Sequence, residues 1–279
     1  MANSRLCVMA FFCASASAQW LHYPTAGIPR TADGKPDLSA PAPRTADGKP
    51  DLSGIWEDDT GKPRGSCIAG ECEDSSDKPK GPNPLASSVG WVDFGARLPG
   101  GLPYQPWAAE AVKGRKVDYG KDDPPTHCMP LGTPRMLVDP LYRKFVQTPG
   151  LLVILNERDA GYRQIFTDGR PLPRDPQPSW NGYSTGKWEG DTLVVQTNGL
   201  RDGMWLDRNG SPLTDAAKLS ERFRRVNYGT MEIEVSVDDP KAYTKPWTVK
   251  VIEYTVLDTE LLDSICLEDE KDASHLVGK

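Results

Sequence analysis

Hydrophobic and polar residues alternate along much of the C-terminal half of the chain. In 231–238 the odd positions hold Met, Ile, Val and Val, and the even positions hold Glu, Glu, Ser and Asp. Successive side chains of a β-strand point to opposite faces, so this stretch predicts a strand with one buried and one solvated face. Further along, apolar residues occupy odd positions in 247–251 but even positions in 252–256. We interpret this change of phase as a β-bulge.

A series of similar stretches predicts a mainly β protein. Each is rich in β-branched or aromatic residues and is bounded by Gly, Pro or Asp turn signals. The clearest is a hairpin over 180–197 (WNGYSTGKWEGDTLVVQT), in which Gly190 can adopt the positive φ that a tight turn needs. The other predicted strands are 144–148, 151–157, 162–167, 219–226, 231–237 and 247–257. This spacing indicates an antiparallel curled sheet or barrel of lipocalin-like type.

The N-terminal half predicts long loops and one short helix. Residues 57–104 are polar and rich in Pro and Gly, without a sustained period. A proline opens the predicted helix over 106–112, and Gly114 weakens its continuation.

A repeated decapeptide precedes these loops. RTADGKPDLS occurs at 30–39 and again at 44–53, and each copy contains an Asp-Gly turn. The pair is either a strap along the surface or a duplication within a flexible arm, and we favour the flexible arm for the first copy. The second copy runs into 54–56, where ordered structure is expected to begin. We therefore divide the chain after its leader into an extended lead-in, 19–54, and a single β-rich domain, 55–279.

The leader itself, residues 1–18, has the pattern of a signal peptide. Arg5 gives a positive start, 6–14 is a short apolar run, and 16–18 is a small-residue cleavage site. We expect a mature chain that begins at Gln19 and is periplasmic or secreted, without a lipid or membrane anchor. A disordered tail or a buried N-terminal strand is the alternative.

Export changes how the cysteines are interpreted. Cys67, Cys72, Cys128 and Cys266 remain after cleavage, and an even number in an oxidising compartment favours disulfides. Four cysteines allow three pairings. We expect Cys67–Cys72 to close a short loop and Cys128–Cys266 to tie the C-terminus to the middle of the chain. A zinc site is the alternative, although the paired CxxC spacing is absent.

The charge of the chain argues against some partners. Cleavage removes Arg5 alone among charged residues, so 32 basic residues (33 − 1) face 39 acidic ones and the net charge is −7. A mildly acidic chain without a basic stripe does not predict nucleic-acid binding. No cofactor is predicted. Calcium is a weak possibility at the acidic pairs 58–59, 122–123 and 238–239, none of which has EF-hand spacing. The oligomeric state is left open.

Several long motifs resemble a known family. These are 120–135 (GKDDPPTHCMPLGTPR), 164–171 (QIFTDGRP), 188–195 (WEGDTLVV) and 238–249 (DDPKAYTKPWTV). They are similar to a large family of uncharacterised exported bacterial proteins. The resemblance implies export but carries no established mechanism or catalytic residues. Many relatives have His where this chain has Leu172, Tyr183 and Leu213.

The candidate catalytic residues are His127, Asp123, Ser184 and Glu221. His127 can act as a general base that Asp123 orients, and their loop would be held by the disulfide at Cys128. The alternative is a loop whose aspartates only brace its turns. Ser184 is the best-placed hydroxyl for a nucleophile, since no recognised nucleophile motif is present.

Glu221 is unusual because it shares the predicted apolar strand face with Leu219 and Phe223. Such a carboxylate should have a raised pKa or an Arg partner, for example Arg225. The side chain is therefore either a catalytic acid or half of a buried ion pair. If the protein is an enzyme, we expect His127, Asp123, Ser184, Tyr183 and Glu221 to converge on one cavity.

The candidate ligand-binding residues are Trp180, Tyr183, Trp188 and Arg225. The first three supply aromatic rings near the predicted mouth of the barrel. Our first hypothesis is a hydrolase of a small ester- or lactone-like molecule in an aromatic-lined cleft. The alternatives are a non-catalytic small-ligand-binding protein of lipocalin type and a carbohydrate-binding module with Trp180 and Trp188 as its platform.

Overall fold

The computed structural model describes residues 23–58, 93–118 and 120–269. The expected signal peptide, His22, His275 and the expected Cys67–Cys72 disulfide lie outside these residues. The expected Cys128–Cys266 disulfide is present and joins segments that are 138 residues apart in sequence.

The protein is mainly β, as the alternating pattern predicts. Eleven strands are present in the part of the chain that the structure describes. They are β1 (Gly54–Asp58), β2 (Arg143–Thr148), β3 (Leu151–Asn156), β4 (Tyr162–Phe166), β5 (Tyr183–Glu189), β6 (Thr192–Asn198), β7 (Met204–Trp205), β8 (Pro212–Leu213), β9 (Lys218–Arg225), β10 (Thr230–Asp238) and β11 (Trp247–Val256). The expected hairpin is β5–β6, and Gly190 in its turn has a φ of 59°.

Nine of the strands form a closed barrel in the order β1-β11-β10-β9-β6-β5-β4-β3-β2. The barrel closes because β1 pairs with both β11 and β2. Eight of the nine neighbouring pairs are antiparallel, whereas β4 and β5 are parallel. The parallel pair departs from the antiparallel sheet expected from the sequence. It requires 167–182 to return the chain to the end of the barrel at which β4 began.

The expected β-bulge in β11 is wrong. Pairing with β10 runs without a break from Val237↔Trp247 to Thr230↔Tyr254. The inward position that follows Val251 is Glu253, which is fully buried. Both of its carboxylate oxygens accept hydrogen bonds from Arg143 Nη1, at 3.2 and 3.1 Å. A buried ion pair on the inner face therefore produced the pattern that we interpreted as a change of phase.

Two α-helices lie outside the barrel wall among the described residues. They are α1 (Pro106–Val117) and α2 (Cys266–Asp269), and none of the helices described is long and apolar enough to cross a bilayer. Helix α1 starts at the expected proline but continues past Gly114. Short 3₁₀ helices occur at Gly95–Arg97, Pro124–His127 and Arg135–Val138.

The barrel interior is filled with side chains. Trp56, Phe145 and Phe223 form an edge-to-face series with ring centroids 6.4 and 6.1 Å apart. They belong to one buried core that includes inward residues of β3, β4, β6, β9, β10 and β11. Burying this apolar surface is the main source of stability. The filled interior leaves the barrel ends and outer surface as the places to look for a site.

The two decapeptide copies fold into the same turn. Thr31 N donates to Lys35 O at 2.9 Å, and the equivalent bond in the second copy, from the amide of Thr45, is also 2.9 Å. Both copies lie against the barrel. The amide of Gly229 donates to Leu38 O in the first copy, and Arg225 Nη1 donates to Asp51 O in the second. These contacts favour the surface strap for both copies.

Candidate functional site

Ser184 and Glu221 lie together inside the barrel. Ser184 is on β5 and Glu221 is on β9, with β6 between them, and the inward residue Arg163 on β4 binds both. Arg163 Nη1 donates to Glu221 Oε1 at 2.9 Å and Nη2 donates to Glu221 Oε2. Arg163 Nη2 also donates to Ser184 Oγ at 3.1 Å and to Thr197 Oγ1 at 3.0 Å. We call these four residues the barrel cluster.

The barrel cluster identifies the partner of Glu221. The expected partner Arg225 is wrong, because Arg163 forms the bidentate pair and both side chains are about 1% exposed or less. Glu221 does share its face with Leu219 and Phe223, as expected. A carboxylate and a guanidinium buried in this way need each other, because either one alone would be an uncompensated buried charge. This arrangement favours the ion-pair interpretation of Glu221.

His127 and Asp123 do not form a dyad. Asp123 is buried and accepts two hydrogen bonds from Arg135, at 2.6 and 2.7 Å. His127 is at the surface, with Nε2 2.9 Å from Lys121 O. The loop is held at Cys128 by the disulfide, as expected.

The expected convergence of catalytic residues is not supported by the hydrogen bonds. Ser184 and Glu221 are bound within the barrel cluster, whereas Asp123 binds Arg135 and His127 binds the backbone of its own loop. Tyr183 joins neither group, since its hydroxyl accepts from Arg170 at 3.2 Å on the outer surface.

The aromatic candidates occupy separate places. Tyr183 stacks on Phe166 at 5.2 Å between ring centroids, and Arg170 covers Phe166 at 3.9 Å. Trp180 is half-buried beneath Arg201, at 4.5 Å from the ring centroid to Cζ. Trp188 is half-buried and packs against the core. The rings of Tyr183 and Trp180 therefore each have one face occupied by the protein itself.

Arg225 holds the lead-in to the barrel. Its Nη1 donates to the carbonyl oxygens of Asp51 (2.6 Å) and Ser53 (3.1 Å). Its Nη2 donates to Tyr228 O at 2.5 Å, and its Cζ lies 4.8 Å from the centroid of a Trp56 ring. Burial lowers the pKa of Arg225 to about 10, which still leaves the side chain charged at neutral pH.

Arg225 also lines a groove between the lead-in and the barrel. We call it the lead-in groove; its cavity volume is about 520 Å³. Residues 23–27 of the lead-in form one side. The start of β1, the end of β11 and the turn at Tyr228 form the other. Of the expected ligand-binding residues, Arg225 is the one that lines it.

The charges in this groove balance. Arg225 and Lys144 are positive, and Asp51 and Glu260 are negative. Lys144 Nζ forms a salt bridge of 2.5 Å with Glu260 Oε2. Burial raises the pKa of Tyr228, so its phenol stays protonated and can donate a hydrogen bond.

The weak calcium possibility gains no support. Across residues 23–58, 93–118 and 120–269, no group of three or more His, Cys, Asp or Glu side chains is placed to hold a metal ion. Asp123 binds Arg135, and Asp239 accepts from the amide and hydroxyl of Thr214 at 2.8 Å each.

Sequence reasoning missed Arg163 and Tyr228. Arg163 falls at an inward position of β4, in phase with Ile165, and that phase was the available signal. Tyr228 lies between the predicted strands 219–226 and 231–237, and its role depends on the lead-in folding back onto this turn. No sequence period encodes this contact.

No family model, no curated protein and no solved structure matches this chain. The family resemblance of the four motifs therefore stays a prediction.

Proposed function

We propose that the protein is a non-catalytic binding protein for a small, uncharged, hydroxylated ring compound, held in the lead-in groove. The observation that carries this proposal is the groove itself. Its volume of about 520 Å³ falls within the usual range of small-molecule sites. That range is roughly 300–1,000 Å³ and accommodates a mono- or disaccharide.

The groove favours an uncharged ligand. Its two positive and two negative side chains compensate each other, so an ionic ligand would bring a charge without a counter-charge. Hydroxyl groups suit it better, because each can donate to a carboxylate or carbonyl oxygen and accept from a phenol. The aromatic faces of Tyr23 and Tyr228 add apolar surface for a ring.

The groove is also held in shape before any ligand arrives. Arg225 binds the backbone carbonyls of Asp51 and Ser53, the amide of Gly229 donates to Leu38 O in the first decapeptide copy, and the amide of Tyr228 donates to Ala40 O just after that copy. A preformed site loses less conformational entropy on binding.

Binding is favoured over hydrolysis by the contacts of the candidate nucleophile. Ser184 is about 1% exposed and is engaged by Arg163 and Thr197. A nucleophile needs a base within hydrogen-bond reach and access to the substrate. The ester- or lactone-hydrolase hypothesis stays as the alternative to be tested by turnover.

A pair of matched substitutions on β11 tests the proposal. Thr255→Trp fills the groove, whereas Thr248→Trp places the same ring on the exposed surface of the same strand. Titration calorimetry with glucose, maltose and glucuronate should give saturable heat for a neutral sugar with the wild type and Thr248→Trp. Binding by Thr255→Trp should be at least about tenfold weaker, which corresponds to about 1.4 kcal/mol.

Four outcomes would contradict the proposal. Equal affinity in both variants would place the ligand elsewhere, and a preference for glucuronate or no heat from any neutral sugar would refute the ligand class. Turnover of chromogenic esters or lactones by the wild type would favour the hydrolase.

A further inference from the structure

Three Asn-Gly dipeptides occur in the chain, at 181–182, 198–199 and 209–210. Because glycine has no side chain, the backbone nitrogen that follows each asparagine can approach its side-chain carbon Cγ closely. Attack at Cγ releases the side-chain nitrogen as ammonia and turns the asparagine into an aspartate or its β-linked isomer, isoaspartate. The attack requires an asparagine side chain that is free to turn, so the hydrogen bonds of the three side chains decide which site reacts.

Two of the three asparagine side chains are held by the barrel. Asn181 Nδ2 donates to Tyr162 O at 2.7 Å, and Asn181 Oδ1 accepts from Thr133 Oγ1 at 3.2 Å. Asn198 Nδ2 donates to Pro173 O at 2.7 Å, and Asn198 Oδ1 is buried. Turning either side chain toward the next backbone nitrogen breaks these bonds, and a buried polar group that loses its partner is destabilising.

Asn209 lies in the tight turn between β7 and β8. The amide of Gly210 donates to Asp207 O at 3.1 Å across this turn. The side chain of Asn209 is partly exposed, and it forms no hydrogen bond within the part of the chain that the structure describes. It can therefore turn toward Gly210 without first losing a partner.

Gly210 is buried and anchored, which keeps the attacking nitrogen in place. Its carbonyl oxygen accepts from Arg115 Nη1 at 2.5 Å, and its φ of 80° is one that glycine adopts without strain. The bond from its amide to Asp207 O must open for the attack, and at 3.1 Å this bond is toward the long end of the normal range. The guanidinium of Arg115 favours loss of the amide proton, because a nearby cation stabilises the anion that forms.

We infer that Asn209 is a site of spontaneous deamidation, which forms isoaspartate in the turn between β7 and β8. The nitrogen of Gly210 gives up its proton and bonds to Asn209 Cγ, and the bond from Cγ to Nδ2 breaks. The side-chain nitrogen takes up that proton and leaves as ammonia. Water then opens the resulting succinimide ring at either carbonyl carbon, which gives aspartate or isoaspartate at position 209. Water is the co-reactant, and the step consumes no oxidant or reductant.

Isoaspartate at this position disturbs a buried hydrogen-bond network. Ser211 Oγ donates to both oxygens of the buried Asp207, at 2.8 and 2.7 Å, and lies 2.8 Å from the hydroxyl oxygen of Tyr104. Isoaspartate adds an atom to the backbone of the turn, and it brings a new carboxylate close to Asp207 in the chain. Both changes weaken the network, because the longer turn displaces Ser211 and the two carboxylates repel each other.

Peptide mapping of the folded wild type tests the inference, with the two other Asn-Gly sites as internal controls. The protein is kept in mildly alkaline buffer, and the mass gain of deamidation is followed in the peptides that contain Asn181, Asn198 and Asn209. The Asn209 peptide should react at least about tenfold faster than either of the others. Methylation by an isoaspartate methyltransferase identifies the isoaspartate product. In urea the three peptides should react at similar rates, because the folded structure no longer distinguishes them.

Two variants separate this turn from the rest of the chain. Asn209→Gln lengthens the side chain so that the ring closes poorly, and it should stop isoaspartate formation in the turn. Asn181→Gln should leave the rate at Asn209 unchanged. Aged wild type should melt below fresh wild type, and aged Asn209→Gln should show no such shift. Neither asparagine lines the lead-in groove, so this inference and the proposed function succeed or fail separately.

Other results would overturn the inference. Equal rates at the three sites of the folded protein, or a faster rate at Asn181 or Asn198, would show that side-chain hydrogen bonds do not select the site. Reaction of the Asn209 peptide in urea but not in the folded protein would show that the turn protects this asparagine.

Discussion

Replacing Glu221 by Gln should destabilise the protein strongly although the side chain keeps its size. Glu221 is fully buried, and both of its oxygens accept from Arg163. The amide of Gln has no charge, so the guanidinium of Arg163 would remain buried with only Ser184 and Thr197 as hydroxyl acceptors. Removing one partner of a buried ion pair typically costs about 3–5 kcal/mol of unfolding free energy.

The assay is urea unfolding followed by tryptophan fluorescence, together with calorimetric Tm. For a protein of this size each kcal/mol corresponds to roughly 2–4 °C, so the Tm should fall by roughly 6–20 °C. Glu234→Gln on β10 is the matched control, because that Glu also pairs with an arginine, Arg222, at 3.9 Å but is about half exposed. Loss of the Glu234 charge should change the unfolding free energy by less than about 1 kcal/mol.

A double variant separates the ion pair from simple packing. Arg163→Met with Glu221→Leu removes both charges, so its cost should be well below the sum of the two single losses. The reasoning is refuted if the unfolding free energy of Glu221→Gln lies within about 1 kcal/mol of the wild-type value. It is also refuted if the double variant loses as much unfolding free energy as the two single substitutions together. If Glu221→Gln instead abolished an esterase activity without lowering Tm, the catalytic interpretation of Glu221 would stand.

Three further predictions rest on other contacts. Reducing the Cys128–Cys266 disulfide, which closes 138 residues of chain, should lower the unfolding free energy by roughly 2–5 kcal/mol, measured as Tm with and without reductant. Burial raises the pKa of Asp207 to about 6 from 3.8, so stability from this group is present below pH 3.8 and is lost as pH rises through 6. That loss is about 3 kcal/mol, and unfolding curves from pH 4 to 7 should show that Asp207→Asn removes it. Arg225→Lys cannot reproduce all the bonds to the carbonyl oxygens of 51–53, so limited proteolysis should cut the lead-in faster than in wild type.

The sequence predicted the strands well and the inner polar residues poorly. Alternation located β10 and β9 to within a residue or two, because a half-buried strand repeats every second position. The same rule failed at Glu253, where an inward charge looks identical to an outward one until its partner Arg143 is known. Likewise Glu221 was recognised as unusual, but its partner is on β4, which is separated from β9 by the two strands β6 and β5.

Single features of the candidate site were predictable from the sequence, but the partners of its side chains were not. The Cys128–Cys266 disulfide followed from elimination among cysteines, and the loop it holds does carry Asp123. The sequence could not indicate that Asp123 pairs with Arg135 rather than with His127, because both candidate partners lie close to Asp123 along the chain. Such choices depend on side-chain packing, which local spacing does not encode.

The position of β1 constrains how this chain can be made. β1 is the first strand in the described part of the chain, yet it lies between β2 and the last barrel strand, with Ile55 opposite Val256. During synthesis, the edge of β1 that pairs with β11 stays unpaired until roughly two hundred later residues have emerged. Closure is therefore a late, long-range step, and a nascent chain that stops before β11 exposes two open edges to its neighbours.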